Sequence, residues 1–282
     1  MSGVEVRHMT DLDVPRAADV SAAAFEFQFE DQTQRDRWHG RLRHCMDSDP
    51  DGSFVATRDG EVIGVAHAII RDDVWILSLL TVDPNVHGGG AGRLLMDAAL
   101  TYGADKPDGL IVASNDPRAL RLYASLGFRL RPTFQAEGRV DAGRIPKRHR
   151  EIVPVTGDEL PELDPVSRAV RGAGHSQDLK LDRDRGSQVF RLGGRGWVAV
   201  DPLRGVRGLA ALDEEAAQAL LWHGLSECRD LEVLEVGWIT GEQQWAIEVL
   251  LAARVPFKAY GAFGVRGEPG PLHPYIPSPP FA

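Results

Sequence analysis

The chain has little cysteine: Cys45 and Cys228 are its only thiols in 282 residues. They lie far apart and have no metal-ligand spacing, which excludes a disulfide framework and points to a reducing compartment. It is also short of positive charge, with 32 Lys and Arg against 41 Asp and Glu and a formal net charge of −9. Such a chain is not built to hold nucleic acid by counterion release, although a cationic amine is drawn to it weakly. No apolar run approaches the roughly 20 residues of a membrane span. The opening "MSGVEVRHMTDLD" has no apolar signal core, so the expected location is the cytoplasm, with no membrane partner. The hydrophobic content, 43%, is enough for a substantial core, and the length allows two domains.

The periodicities then lay out an α/β order. "VEVRHM" alternates as a strand, and "DLDVPRAADVSAAAF" has helical spacing with Asp11 or Asp13 as its cap. "DQTQRDRWHGRLRHCM" is a second, amphipathic helix. "SFVATRDGEVIGVAHAIIRDD" is two strands joined by Asp59-Gly60, a hairpin turn pair. "VWILSLLTV" is a continuous apolar run, typical of a strand covered on both faces. After it come the glycines of "HGGGAG", then a helix from Arg93 to Tyr102, then the buried strand "GLIVAS". "DPRALRLYASLG" is a helix with Asp116 as N-cap, Pro117 at the first position and Gly127 as the stop. "FRLRPTFQAEG" is a further strand.

A polar, turn-rich stretch from Gly138 to Asp158 marks a boundary, giving domains at 1–140 and 141–282. Beyond it the order of elements recurs. "SQVFRLGGRGWVAVDP" is a hairpin turning at Gly193-Gly194, "VRGLAAL" a strand, and "DEEAAQALLWHGLSEC" a helix capped by Asp213. "LEVLEVGWI" (strand), "TGEQQWAIEVLLAARV" (helix) and "AYGAFGVRG" (strand) follow. The tail "GPLHPYIPSPPFA" is extended and proline-rich, and its Tyr275 is expected to reach a neighbouring pocket.

A strand, a glycine turn and a helix make an anion site. The first helical turn leaves N–H groups without partners, the macrodipole adds partial positive charge, and glycine lets the backbone come close. A nucleotide P-loop is excluded, because Arg93-Leu94 stands where Lys-Ser or Lys-Thr is needed. A dinucleotide fingerprint is excluded by the glycine spacing and by the strands that precede the loop.

The order of elements with these motifs resembles the GNAT N-acetyltransferase superfamily. "HGGGAG" matches that family's Arg/Gln-x-x-Gly-x-Gly/Ala loop at Gly90 and Gly92, with His87 in the Arg/Gln position. "DPRALRLYASLGF" looks like its Asn-x-x-Ala-x-x-x-Tyr helix followed by Leu-Gly-Phe, aligned on Ala119 and Tyr123, with Asp116 in the Asn position and Asn115 one residue early. The motifs cover residues 1–137. The resemblance implies two tandem domains, each a mixed, mostly antiparallel sheet flanked by helices, and acetyl-CoA as co-substrate. It implies backbone contacts to acetyl-CoA from Leu80, Thr81 and Val82, and from His87, Gly88, Gly89, Gly90, Ala91, Gly92 and Arg93. Asn115, Asp116 and Ala119 complete the implied set.

The implied reaction is acetyl transfer to a primary amine, with the Tyr123 phenol, of ordinary pKa about 10, protonating the leaving thiolate. The alternative is a sensor that binds acyl-CoA without turnover. The strand before the loop offers only Ser78 as a polar side chain, and Glu26, Glu30 and Asp31 are acidic residues on the implied acceptor side. Phe25, Phe27, Phe29 and Trp38 read either as rings on the core or as a wall for an amine.

The second half lacks the glycine run, and Leu250 or Leu251 replaces the tyrosine, so the resemblance implies a degenerate copy that has lost cofactor binding. His175 and His223 suggest no ligand set, and "KRHR" (147–150) reads as solvated linker. A homodimer is the default expectation.

Overall fold

The computed structural model describes residues 3–86, 90–147 and 151–282. The chain forms two compact units, Met1–Ile70 with Trp75–Pro107, and Arg71–Val74 with Asp108–Ala282.

The first unit contains β1 (Glu5–His8), α1 (Val14–Ala24), α2 (Gln32–Ser48), β2 (Ser53–Arg58), β3 (Glu61–Arg71, whose last residue falls in the second unit), β4 (Val74–Val82, which begins there) and α3 (Ala91–Tyr102). The strand order is β1-β2-β3-β4, with β1–β2 and β2–β3 antiparallel. Strand alternation sorts the side chains to two faces. Val55, Val62, Val65 and Leu79 pack with Val14, Ala17, Ala18 and Leu42 of α1 and α2. Phe54, Ala56, Ile63 and Ala66 pack with Ala91 and Leu95 of α3. The hairpin turns at Asp59 and Gly60, whose φ values of 52° and 83° match the left-handed turn that this pair favours. Asp31 caps α2 by accepting from the Gln34 N–H at 2.8 Å. Asp13 does not cap α1. Its carboxylate accepts from the Thr10 N–H at 2.9 Å and from the Arg7 guanidinium at 2.7 Å, because a short 3-10 turn, Asp11–Asp13, precedes the helix.

The second unit contains β5 (Asp108–Ala113), α4 (Pro117–Ser125), β6 (Arg129–Gly138), β7 (Ile152–Pro154), α5 (Asp164–Arg171), α6 (Ser176–Asp184), β8 (Gln188–Leu192), β9 (Gly196–Asp201), β10 (Gly205–Ala211), α7 (Glu214–Glu227), β11 (Leu234–Thr240), α8 (Gln244–Ala252), β12 (Phe257–Arg266) and β13 (Tyr275–Ile276). The strand order is β5-β12-β6-β11-β10-β9-β8-β7, with β13 on β10. The β10–β11 pair is parallel and the other pairs are antiparallel. One core gathers Val198, Val200, Leu209, Val236 and Ile239 of the strands with Leu220, Leu221, Trp245 and Leu250 of α7 and α8.

The fold is thus mixed α/β with a mostly antiparallel arrangement flanked by helices. The 140/141 division is one of element order. β12 pairs with β5 on one side and β6 on the other, so the second unit holds strands from both sides of that division. Helices α5 and α6 add elements absent from the sequence reading. The signals for α5 were Asp164-Pro165 at its start and Gly172, left-handed in the structure, at its stop.

Candidate cofactor and catalytic site

The glycine bend begins where β4 ends. Asp83 is buried, its N–H donates to the Ile63 carbonyl at 2.8 Å, and its carboxylate accepts from the Asn85 N–H at 3.0 Å and from Arg16 at 2.8 Å. This clamp fixes the chain as it leaves the sheet. Sequence reasoning missed it, although Asp83-Pro84-Asn85 is a turn signal. His87, Gly88 and Gly89 lie outside the described residues. Gly90 stands at the N-cap of α3 with φ 65° and ψ 22°, left-handed, and supplies no capping side chain. Its carbonyl accepts the Leu94 N–H at 3.0 Å. The N–H groups of Ala91, Gly92 and Arg93 therefore fall in the first turn, where a helix has donors but no acceptors of its own. The Arg93 guanidinium is turned to Asp97 at 2.9 Å, a surface pair one turn on. A Cβ on Gly92 would meet Val82 at 3.6 Å, ordinary contact, so Gly92 is not needed to avoid a clash. Leu80 and Val82 are half-buried against the α3 core. Thr81 is buried, with its hydroxyl 3.2 Å from that of Ser21.

α4 is built as its sequence implies. Asp116 accepts the Arg118 N–H at 2.8 Å, Pro117 opens the helix, and Gly127 follows its end with φ 84°. The Arg118 guanidinium lies 2.9 Å from Asp116 and holds that carboxyl below the ordinary range. Asp116 is therefore engaged in capping and pairing. The exposed Asn115 uses its side-chain oxygen to accept the Gly261 N–H of β12 at 2.5 Å. Ala119 is half-buried. Tyr123 is 5% exposed. Its phenol is pushed up from 10, by burial first and then by the charge of Asp116, so it keeps its proton throughout the neutral range.

The other singled-out residues sort themselves by packing. Ser78 is buried, with its hydroxyl 3.5 Å from the Cys45 thiol and its carbonyl accepting from Arg41 at 2.6 Å. Asp31 is occupied as the α2 cap, and Glu30 accepts from the Gln34 amide at 2.7 Å. Phe25, Phe27 and Phe29 each contact Trp38, with ring centroids 6.3, 5.2 and 6.4 Å away. Arg35 lies over Phe29 and Arg41 over Trp38. His175 packs edge-on to Trp197, and His223 to Phe190. Both histidines are buried. Leu250 is buried and Leu251 exposed. Arg148, His149 and Arg150 of the basic run lie outside the described residues.

The tail corrects an expectation. Tyr275 and Phe281 are 1% and 0% exposed, β13 pairs with β10, and the buried Arg171 donates to the carbonyls of Phe281 and Ala282. The tail is packed within its own unit because its apolar side chains find burial there. Cys45 and Cys228 are both buried and are not joined in a disulfide. Among the described residues there is no group of metal-ligating side chains, and no helix is long and apolar enough to cross a membrane.

Residues 15–128 match the sequence model of the acetyltransferase (GNAT) family. A mycothiol acetyltransferase from Acidothermus cellulolyticus is 32% identical over 126 residues, covering 36% of this chain and 38% of its own. Another from Thermomonospora curvata is 38% identical over 84 residues, covering 28% of each chain. The matches thus span well under half the length of these relatives. Among solved structures, a candidate acetyltransferase from Pyrococcus horikoshii superposes with a TM-score of 0.78 at 15% identity, over 100% of this chain and 94% of that one. At that identity the likeness is one of fold. The GNAT-matching segment ends at Phe128 and takes in both the glycine bend and the Tyr123 helix.

Proposed function

We propose that the chain is an acetyl-CoA-dependent N-acetyltransferase acting on a primary amine. The observation that carries the reading is the start of α3, where left-handed Gly90 leaves the first turn without a side-chain cap, directly after the apolar strand β4. Backbone donors in that position suit a diphosphate, which would sit on the N–H groups of residues 88–93 with the macrodipole behind them. The extended backbone at Leu80 and Val82 would bond the pantetheine arm.

Acetyl-CoA would supply the activated acyl group. In the overall exchange a carbon–nitrogen bond forms to the amine and the carbon–sulfur bond breaks. Tyr123 gives its phenolic proton to the sulfur, and the proton lost by the amine returns to the phenolate through water. Burial favours this role because it keeps Tyr123 protonated until the thiolate appears. Asp116 serves as cap rather than ligand, leaving cofactor binding to backbone. The second half is proposed as a copy that has lost the glycine bend, with Leu250 or Leu251 where the tyrosine would be.

The test is release of CoA thiol from acetyl-CoA in the presence of primary amines, beside thermal shifts with acetyl-CoA. A stabilised protein that releases thiol with an amine supports the reading. Stabilisation without turnover by any amine favours a sensor, and no stabilisation ends both readings.

A further inference from the structure

β6 has a core face and a polar face. Ala136 faces the core, paired with Phe257 and Val236, while Thr133, Gln135 and Glu137 alternate to the other side. The partners opposite them are polar as well: Lys258 across from Gln135, Glu235 across from Glu137, and Thr240 across from Thr133. The strands on both sides of β6 break register next to this face. β11 shifts between Val236 and Ile239, and β12 between Ala259 and Ala262. The bulges bring Trp238 and Tyr260 together, ring centroids 5.1 Å apart at 71°. Trp238 holds φ 52°, a left-handed backbone costly for a bulky residue. Its indole N–H is buried without a hydrogen-bond partner among the described residues, and so is the hydroxyl of Thr240, which is 4% exposed.

The charges on this face are unevenly matched. Glu137 accepts from Lys258 at 2.5 Å and from the Gln135 amide at 2.9 Å. Glu235 has as its ion partner among the described residues only Arg204, at 4.0 Å. The Tyr260 phenol is pushed up by burial first and then by the Glu235 charge, against the Lys258 and Arg204 charges. The Tyr260–Gly261 bulge is held to the start of α4, the helix of Tyr123, through the Gly261 N–H and Asn115.

We propose that Trp238, Tyr260 and Glu235 form a recognition site for a primary alkylammonium, the charged end of the acceptor. This rests on the acetyltransferase reading and extends it: the acceptor would be selected by strands of the second half. The aromatic faces attract the ammonium through their quadrupoles. Glu235 supplies the counter-charge.

The experiment uses the full chain and saturation-transfer NMR with n-pentylammonium against 1-pentanol, followed through titration. The expected result is saturable binding of the ammonium and at least tenfold weaker binding of the alcohol. Trp238→Ala and Glu235→Gln each weaken the ammonium about tenfold, and Tyr260→Phe weakens it less. Unchanged melting temperatures separate lost binding from lost fold, and Glu235→Gln, a near-isosteric change, carries the test if Trp238→Ala unfolds. Equal binding of ammonium and alcohol, no saturation, or variants that bind like the parent would overturn the site. Acetyl-CoA thermal shifts, run in parallel and expected to be unaltered in all variants, tell failure of this site from failure of the acetyltransferase reading.

Discussion

Arg71 and Asp178 form a two-pronged ion pair, 2.9 and 2.8 Å, with side chains 5% and 0% exposed. Both charges lie within the second unit. The fork geometry meets both carboxylate oxygens and so compensates the desolvation of each group. Asp178→Ala removes the carboxylate that meets both prongs of the buried guanidinium and is expected to destabilise by about 3–5 kcal/mol, read as a fall in urea midpoint. The double change Arg71→Met with Asp178→Leu removes both charges and should cost less than the single one. A double variant as unstable as the sum of two singles would show that the groups are not coupled.

Tyr123→Phe keeps the buried ring and removes the proton. Thiol release should drop by about 10² or more, while the acetyl-CoA thermal shift stays. Since burial raises this phenol, the Tyr123-dependent rate should show no alkaline decline up to about pH 10, the ordinary phenol value. A decline below pH 9 that disappears in the phenylalanine variant would contradict the assignment of a raised phenol.

Gly90→Val places a branched side chain at φ 65°, at a backbone cost of roughly 1–2 kcal/mol. The first turn of α3 is expected to shift, and acetyl-CoA affinity to fall more than tenfold, with circular dichroism unchanged. His87→Ala should matter much less, because the proposed grip is backbone. Equal losses in the two variants would point to a side-chain site instead.

His67 sits in the core opposite Ser53, its Nδ1 2.8 Å from that hydroxyl. Burial, then the nearby Arg41 charge, pull its pKa down to about 3. The unfolded chain takes up a proton near pH 6.5 that the folded chain refuses, so stability is full above 6.5 and falls as pH drops toward 3. The slope is about 1.4 kcal/mol per unit from this group. Between pH 7.5 and 5.0 the parent should therefore lose about 2 kcal/mol more than His67→Gln, measured by urea unfolding. Parallel losses in the two proteins would remove His67 from the account of acid sensitivity.

The sequence determined what depends on neighbours along the chain. Asp116-Pro117 and Gly127 delimit α4, Asp31 and Asp213 cap their helices, and Asp59-Gly60 turns its hairpin, each because a short-range bond or dihedral preference suffices. The glycine run and the Tyr123 helix could be picked out as motifs for the same reason, each being a short local pattern, while the roles given to them remain proposals. The tertiary structure alone decided that β12 enters between β5 and β6, that Asp178 answers Arg71 across 107 residues, and that Asn115 turns to Gly261. It also brought Trp238 and Tyr260 together through bulges that no turn signal announces. Strand order and register follow from which surfaces are buried together, and that balance is struck over the whole folded chain rather than in any window of it.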